Sequence, residues 1–313
     1  MTQLSRRFFL QSLAVATAAG PLAAHAAPVS KDSFFGRHTL PVGIQMYSLG
    51  DLPRTDLAGT LKQLNEIGYR SVELAGYLGK TPAQLRSAFD AAGVACTSAH
   101  VGIRAGTAEE PGLLGDIGKL AADMHTIGAG DVIAPSFATP VGVSASGMAA
   151  AAAAMTEDHW KQIAAQLNGF GDKLRKQGLG FGYHNHNPEF TPVGKRTGYD
   201  ILIAETDPNL VKLELDIGWA AAAGANPEDL FARHPGRFRL AHIKDIKAST
   251  QPNYNLKMDP TEVGSGSLHW EQILAAAYKA GVRKFFVEQE PPFNFPRIEA
   301  AAKCYGYLST LKA

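Results

Sequence analysis

Short apolar runs alternate with segments of helical periodicity along most of the chain. Residues 42–48 form a β-rich apolar run, and in residues 57–67 the apolar side chains recur on one helical face. The next cycle joins an apolar run at 71–75 to a segment that opens with Thr81-Pro82, a good N-cap followed by proline at the first helical position. The repeating unit is therefore a strand followed by a helix.

The same alternation continues to the C-terminus. The predicted strands cover residues 42–48, 71–75, 95–101, 131–135, 180–187, 211–216, 238–242 and 284–290. The predicted helices cover residues 57–67, 82–93, 113–127, 156–178, 198–205, 268–280 and 296–311, with a further helix opened by Asn226-Pro227. Right-handed crossovers between parallel strands favour a single-domain (β/α)8 TIM barrel over residues 41–313, rather than an open doubly wound sheet. No G-x-G-x-x-G follows the first strand, so a dinucleotide site has no sequence support.

Three segments depart from the pattern. Residues 27–40 are predicted to be a linker that precedes the barrel. Residues 138–155 are rich in Ala, Gly and Ser, which predicts a long flexible loop or a weak helix. Residues 246–267 are predicted to be a long loop before a helix.

Residues 1–26 indicate an export signal rather than part of the fold. Arg6-Arg7 precede an alanine-rich apolar stretch, and residues 24–26 give an A-x-A cleavage site. Paired arginines resemble the twin-arginine type of signal peptide, so we expect a periplasmic protein. The apolar stretch is shorter than the ~20 residues that a spanning helix needs, which disfavours a membrane anchor after processing.

Composition narrows the class of partner. Of 313 residues, 45% are hydrophobic and 19% charged, with a net charge of +1, so the chain can bury a large core without a bias toward nucleic acid or anionic membrane. We expect a small-molecule substrate and no nucleic-acid partner, and we leave a homo-oligomer open. The two cysteines, Cys96 and Cys304, lie in a strand pattern and a helix pattern, which favours buried thiols over a disulfide.

Polar residues of catalytic type stand at the predicted C-terminal ends of seven of the eight strands. They are Gln45, Glu73, His100, His184 with His186, Asp216, His242, and Glu288 with Glu290. The C-termini of barrel strands converge on one mouth, so these side chains are expected to meet there. A lone case is better explained as a satisfied loop group, but recurrence on seven strands indicates an active site.

Imidazoles mixed with carboxylates predict one divalent cation of the Mn, Fe, Co or Zn kind, because Mg²⁺ favours an all-oxygen site. Asp216, His242 and Glu288 are the strongest predicted ligands, since the last three strands of the barrel are adjacent. Strand five is expected to supply the fourth ligand.

Four short segments give the chain a resemblance to a known family. They are residues 215–218 (Leu-Asp-Ile-Gly), 242–245 (His-Ile-Lys-Asp), 264–266 (Gly-Ser-Gly) before Trp270, and 287–290 (Val-Glu-Gln-Glu). Over nearly all of residues 41–312 the chain resembles the xylose-isomerase-like barrel superfamily of sugar phosphate isomerases and epimerases. That superfamily also includes inosose dehydratases and endonuclease IV. The motifs are specific for the superfamily and not for a substrate.

The resemblance implies one metal bound by Glu, Asp, His and Glu from strands five to eight. Asp216, His242 and Glu288 match the last three ligands, and His184 stands where the epimerases have glutamate. This difference weakens a mechanism in which carboxylates of strands five and eight act as opposed acid and base, and it resembles the histidine-rich strand five of inosose dehydratases. Trp219 stands where the family commonly has histidine.

The chemistry that the resemblance implies is removal of a proton from the carbon beside a ketone. Return of the proton to carbon gives an isomerase or epimerase, which we predict first because it is the commoner outcome in the superfamily. Loss of a β-substituent gives the alternative, a dehydratase or keto-glycoside lyase. A sugar-binding barrel without turnover is the second alternative. Export favours a sugar or keto-sugar without phosphate, because phosphorylated sugars are mainly cytoplasmic.

Individual roles follow from these expectations. The predicted catalytic residues are Glu288 for proton transfer, His100 and Glu73 as proton donors or ligands of sugar hydroxyls, and Lys244 as an electrophile near the carbonyl. The predicted substrate contacts are Gln45, His186, Trp219 and Glu290.

Overall fold

The computed structural model describes residues 28–107 and 109–313, so the predicted signal peptide at 1–26 lies outside the described residues. Its barrel strands are β1 (Gly43–Gln45), β2 (Ser71–Ala75), β3 (Ala95–His100), β4 (Asp131–Ala134), β5 (Gly180–His184), β6 (Lys212–Asp216), β7 (Phe238–Ile243) and β8 (Lys284–Val287). All of them run parallel, and they close in the order β1-β8-β7-β6-β5-β4-β3-β2. The predicted (β/α)8 TIM barrel is confirmed.

Helices connect the strands. They are α1 (Phe34–His38), α2 (Leu52–Thr55), α3 (Leu57–Ile67), α4 (Pro82–Ala92), α5 (Ile117–Ile127), α6 (Met148–Ala154), α7 (Glu157–Lys176), α8 (Gly198–Glu205), α9 (Ile217–Ala222), α10 (Pro227–Arg233), α11 (Trp270–Ala280) and α12 (Arg297–Leu308). Local signals explain several ends. Thr81 forms a capping box with Gln84, and Gly93 ends α4 in the left-handed region with φ 64°. Among the described residues, no helix combines the length and the apolar character needed to cross a membrane.

The N-terminal end of the barrel is closed by charged groups. Asp131, the first residue of β4, is buried, and its carboxylate lies 2.6 Å from Lys284 Nζ and 3.1 Å from Arg239 Nε. Lys284 Nζ also donates to the carbonyl of Thr97. This end of the barrel is therefore ion-paired and faces away from the strand C-termini, where catalytic residues of such barrels lie.

A small apolar layer separates that end from the mouth. Ile133, Leu240 and Phe286 form a separate buried cluster inside the barrel. Two glycines make room for it, since a Cβ on Gly43 would lie 2.5 Å from the Phe286 ring and one on Gly182 would lie 2.8 Å from Ile133 Cδ1. The polar residues of the mouth therefore rest on a dry, tightly packed layer.

Several strands end earlier than predicted. Strand β1 stops at Gln45, where a 3₁₀ helix begins (Met46–Leu49), and β5 stops at His184. Strand β8 stops at Val287. His186 and Glu290 therefore lie on loops above the barrel rather than on strands, which brings them toward the cavity described below.

Two segments outside the predicted pattern carry structure. Helix α1 lies inside the predicted linker, and its Phe34 and Phe35 are fully buried with their rings 5.7 and 5.8 Å from the ring of Phe285. The predicted long loop contains a short antiparallel pair, Asp245–Ile246 with Pro260–Thr261. Residues 34–38 thus belong to the packed barrel, and residues 138–155 contain the weak helix, α6, of the two predicted alternatives.

Candidate active site

A buried polar layer lies directly above the apolar layer, and Glu73 is at its centre. Strand register places Gln45 and Ser98 on either side of Glu73. Gln45 Nε2 donates to Glu73 Oε1 at 2.8 Å, and Ser98 Oγ donates to Glu73 Oε2 at 2.5 Å. All three side chains are fully buried. This corrects two predictions: Glu73 lies in the middle of its strand rather than at the end, and Gln45 is fully buried beside Glu73 and does not line the cavity described below.

The second carboxylate of this layer, Glu214, was missed in the sequence. It is fully buried in the middle of β6, directly beside His184 of β5. One oxygen, Oε2, lies 3.0 Å from His184 Nδ1, 2.9 Å from His100 Nε2 and 3.3 Å from His242 Nε2. The only available signal was a charged residue between two leucines of an apolar strand, which a buried strand does not need for packing.

The two buried carboxylates differ in electrostatics. Burial alone would raise the pKa of Glu73, but His100 and His242 hold it below its usual range. Burial and the neighbouring charge of Glu73 instead raise the pKa of Glu214 to about 7. Burial lowers the pKa of His100, yet Glu73 and Glu214 raise it overall to about 10. His100 is therefore a cationic imidazole whose Nε2 is held by two carboxylates.

The four predicted metal ligands meet above this layer. Ligand atoms of His184, Asp216, His242 and Glu288 lie within 4.8 Å of one another, and all four residues are buried. His242 lies beside Asp216 in the strand register, and its Nδ1 is 3.0 Å from Glu288 Oε2. Asp216 also caps α9, because its Oδ1 accepts a hydrogen bond from Trp219 N at 2.7 Å. The turn after β6 thus fixes both the start of α9 and the position of the Asp216 carboxylate as a metal ligand.

The residues present fit a divalent cation. Asp216 Oδ2 is buried and accepts no hydrogen bond of suitable geometry from the described part of the chain, although Lys244 Nζ lies 2.9 Å away. The ring nitrogens of His242 point to different partners: Nδ1 faces Glu288, and Nε2 lies 2.7 Å from Glu73 Oε1. Metal-ligating histidines commonly give their second nitrogen to a carboxylate in this way. His184 follows the same plan, with Nδ1 on Glu214 and Nε2 3.8 Å from Asp216 Oδ2.

Lys244 has a different position from the predicted electrophile. Its fully buried ammonium lies 2.7 Å from Glu288 Oε2 and 3.1 Å from Glu290 Oε1, and it stands 5.2 Å from the Trp219 ring centroid. Burial lowers the pKa of Lys244, but Asp216 and the two glutamates raise it well above its usual value. The lysine therefore balances the charge of the ligand cluster from beneath the cavity wall.

A cavity of about 450 Å³ opens over these groups. Five predicted site residues line it, and they are His100, His184, His186, Glu288 and Glu290. Tyr47, Tyr77, Arg104 and Glu110 line its sides. Tyr77, Arg104 and Glu110 were missed because they lie on loops whose position depends on the closed barrel, and Tyr47 was missed because a 3₁₀ helix replaces the end of the predicted first strand. The size suits a single sugar ring or a similar small molecule.

His186 faces the same cavity from the loop after β5. Its backbone N–H donates to Glu189 Oε2 at 3.1 Å, while its Nδ1 is buried without a hydrogen-bond partner among the described residues. Burial and the charge of Lys244 lower the pKa of His186 to about 3. A neutral imidazole without a side-chain hydrogen bond to the described residues thus lines the cavity.

Asp245 and the Gly-Ser-Gly segment, which carry part of the family resemblance, shape the rim of the barrel and do not line the cavity. The carboxylate of Asp245 accepts hydrogen bonds from Gly264 N at 2.9 Å, Gly266 N at 3.2 Å and Trp270 Nε1 at 2.8 Å. A Cβ on Gly266 would lie 2.1 Å from Asp245 Oδ1, so glycine is required there. The Gly-Ser-Gly segment and Trp270 therefore fix the loop that follows β7.

Glu214→Gln is expected to weaken divalent-metal affinity by roughly 10–100-fold, the usual cost of losing a carboxylate behind a ligating histidine. The amide cannot accept equally from His184 and His100, so the ring of His184 loses its fixed orientation. Isothermal titration with Zn²⁺ or Mn²⁺ measures the change. The matched control is Glu189→Gln, a fully buried glutamate whose carboxylate contacts Tyr183 OH and His186 N but none of the four ligand side chains. Equal metal affinity in the two variants would show that Glu214 does not orient the ligand.

The sequence of the chain is similar to a known protein family and to curated proteins. A family model described as "Xylose isomerase-like TIM barrel" matches residues 61–304. An inosose dehydratase of Lacticaseibacillus casei is 29% identical over 166 residues, which cover 49% of this chain and 55% of that protein. The chain thus spans about half the length of the curated relatives it matches.

Solved structures show the same fold. A sugar phosphate isomerase/epimerase from Parabacteroides distasonis superposes with a TM-score of 0.69 at 24% identity, over 92% of this chain and 97% of that one. Two further structures of this fold contain a metal. A barrel from Mycobacterium smegmatis is in complex with magnesium (TM-score 0.63, 16% identity, 87% and 96% of the chains), and the IOLI protein has a zinc atom (TM-score 0.61, 16% identity, 85% and 95%).

Proposed function

The chain belongs to the xylose isomerase-like TIM barrel family, and we propose that it is a metal-dependent carbon–oxygen lyase that eliminates a β-substituent from a keto-sugar. The observation that carries this proposal is the composition of the loop and strand end at β5. His184 and His186 face the site there, and the one carboxylate of residues 184–190, Glu189, is turned to Tyr183 OH and to the backbone. A second carboxylate opposite Glu288, as a two-glutamate epimerase needs, is therefore missing from this position.

The sequence favoured an isomerase or epimerase narrowly over this reaction. Relatives named inosose dehydratase support elimination, because dehydration is loss of a β-hydroxyl. The Parabacteroides neighbour named as an isomerase/epimerase is only 24% identical and supports the fold alone. We therefore place elimination first and keep isomerisation as an outcome of the experiment below.

A divalent ion held by His184, Asp216, His242 and Glu288 would polarise the ketone of the substrate and stabilise the negative charge that develops on its oxygen. The choice among Mn, Fe, Co and Zn is left to measurement. The histidine-containing donor set fits these ions better than Mg²⁺.

Two side chains of this protein carry out the proton transfers. Glu288, whose carboxylate lines the cavity, takes the proton from the carbon beside the ketone. The bond from the next carbon to its oxygen then breaks, and that oxygen leaves with the electron pair. His100, whose Nε2 is held by Glu73 and Glu214, lies in the cavity wall as a proton donor for the leaving oxygen. Held by both carboxylates, its ring is pre-oriented for that transfer.

The substrate that we propose is not phosphorylated. The buried cations of the site, Lys244, His242 and His100, are all paired with carboxylates, so none of them is free to bind a phosphate. Arg104 is the one Lys or Arg side chain among the described residues that line the cavity, and it is exposed. The expected export of the chain agrees, because a periplasmic enzyme meets free sugars and glycosides more often than sugar phosphates.

Incubation of the metal-loaded protein in deuterated water with ketoses, inososes and 3-keto-glucosides tests the proposal. We expect an unsaturated keto product together with released water or alcohol. Mass spectrometry and NMR detect both products. Deuterium beside the carbonyl with the skeleton intact would instead make the protein an isomerase or epimerase. Ligand binding with neither reaction would identify a sugar-binding barrel without turnover.

A further inference from the structure

The cavity over the metal ligands continues into a second depression. The first, which we call the inner lobe, holds about 450 Å³ over His184 and Glu288. The second, the outer lobe, holds about 620 Å³ between the loop that follows β7 and the loop that follows β8. His186 and Glu290 line both. The two lobes therefore adjoin at this pair of side chains.

The outer lobe has a preformed wall. Asn187 donates from Nδ2 to the carbonyl of Asn253 at 2.9 Å and accepts from Leu256 N at 2.9 Å. Asn253 N in turn donates to the carbonyl of Ala222 in α9. These bonds tie the loop to the barrel beside His186 and hold Leu256 with its side chain 39% exposed. The lobe does not have to be ordered by a ligand, which lowers the cost of binding.

The lining of the outer lobe differs from that of the inner lobe. Trp219, Leu256, Met258 and Pro291 give it an apolar face, with Lys257 and Asp259 beside them. Trp219 is only 5% exposed, and its indole Nε1 is buried without a hydrogen-bond partner in the described part of the chain. An apolar wall with a few polar groups at its edges is suited to the face of a ring that carries hydroxyls or an aromatic system.

We propose that the substrate is a keto-glycoside whose two parts occupy the two lobes, with the oxidised sugar ring in the inner lobe and the leaving group, a second sugar or an aromatic aglycone, in the outer lobe. The inference rests on the elimination proposed above. Proton loss beside the ketone is balanced by cleavage of the glycosidic carbon–oxygen bond, and the departing oxygen keeps the electron pair and gains a proton. A dehydratase acting on a single ring would leave the outer lobe without a use.

A series of 3-keto-glucosides that differ only in the aglycone tests whether the outer lobe contributes to catalysis. We expect kcat/KM of the wild type to be higher for the phenyl than for the methyl substrate. Leu256→Ala and Met258→Ala should each reduce this preference by roughly tenfold, the scale for loss of a few buried methylenes. The matched control is Leu114→Ala, because Leu114 is also an exposed leucine but lines neither lobe. Its preference should equal that of the wild type.

Binding measurements test the two-part substrate independently of whether the protein catalyses elimination. Phenyl and methyl β-D-glucoside carry no ketone and cannot undergo this elimination. Calorimetry with them therefore measures how much the outer lobe contributes to binding, even if no elimination is found. Tighter binding of the phenyl glucoside, lost in Leu256→Ala or Met258→Ala and kept in Leu114→Ala, supports the two-part substrate. Equal binding of both glucosides to the wild type overturns it, as does an equal effect of all three variants. Absence of elimination together with phenyl-selective binding overturns only the proposed reaction.

Discussion

Asp216→Asn is expected to empty the metal site and to lower kcat/KM by on the order of a thousandfold, since a bound cation supplies several kcal/mol of transition-state stabilisation. The amide keeps the volume of the side chain, and its oxygen can still accept the hydrogen bond from Trp219 N that starts α9. Loss of the charged oxygen removes one ligand from a cluster of four. Elemental analysis and steady-state kinetics measure the two effects. Thermal unfolding is expected to change little, because Lys244 keeps its ion pairs with Glu288 and Glu290.

The barrel offers a matched control at its other end. Asp131 is also a buried aspartate of a barrel strand, but it pairs with Lys284 and Arg239 on the far side of the apolar layer. Asp131→Asn should therefore cost stability, by about 1 kcal/mol because Lys284 and Arg239 are partly exposed, and should keep the metal. Full metal content in Asp216→Asn, or metal loss in Asp131→Asn, would contradict the assigned site.

His242→Ala provides a second variant, with a different stability effect. His242 is fully buried among Glu73, Glu214 and Glu288, at 2.7, 3.3 and 3.0 Å. Its removal takes away a ligand and leaves three carboxylates without a shared imidazole, so both metal content and unfolding temperature should fall.

Much of the fold could be predicted because its signals are local. Thr81-Pro82 and Gly93 bound a helix through their own backbone preferences, and α4 forms between them as predicted. The meeting of Asp216, His242 and Glu288 could also be predicted, since parallel strands of a closed barrel must end at one mouth. These inferences need only the order of strands along the chain.

The depth of each side chain inside the barrel could not be predicted in the same way. Ser98 rather than Thr97 lies beside Glu73 because the pairing of β2 with β3 shifts between Val72 and Glu73, and such a bulge has no clear sequence signal. Glu214 was missed because its role depends on the register that sets it beside His184. Helix α9 was missed because Asp216 ends a strand and caps a helix at once. In each case the decisive contact is between strands or across a turn.

Those buried carboxylates give the polar layer a functional rather than a stabilising character. Glu73 and Glu214 carry charge into the barrel interior, where an apolar pair of similar volume would cost less. They contact the ring nitrogens of His100, His184 and His242 that face away from the cavity or the ligand cluster. We interpret the layer as a support that orients imidazoles, which accounts for polar groups where packing alone favours leucine.

Glu288→Gln is expected to lower kcat by about 10²–10⁴-fold, the range for loss of a general base, with part of the metal affinity retained through the other three ligands. The amide oxygen can still approach a cation, but it cannot take a proton from carbon. Burial raises the pKa of Glu288, yet Lys244 and His242 hold it well below its usual value, so the carboxylate is charged and able to accept a proton. Single-turnover kinetics at saturating metal separate this loss from weaker metal binding.

Glu290→Gln is the matched control, because Glu290 lies two residues away, contacts the same Lys244 and lines the same cavity. It is outside the ligand cluster, so its variant should bind metal normally. Deuterium exchange at the carbon beside the ketone then identifies the base directly, since exchange requires proton removal but not departure of the β-substituent. If metal-loaded Glu288→Gln still exchanges this proton while Glu290→Gln does not, the base is Glu290 and Glu288 acts only as a ligand.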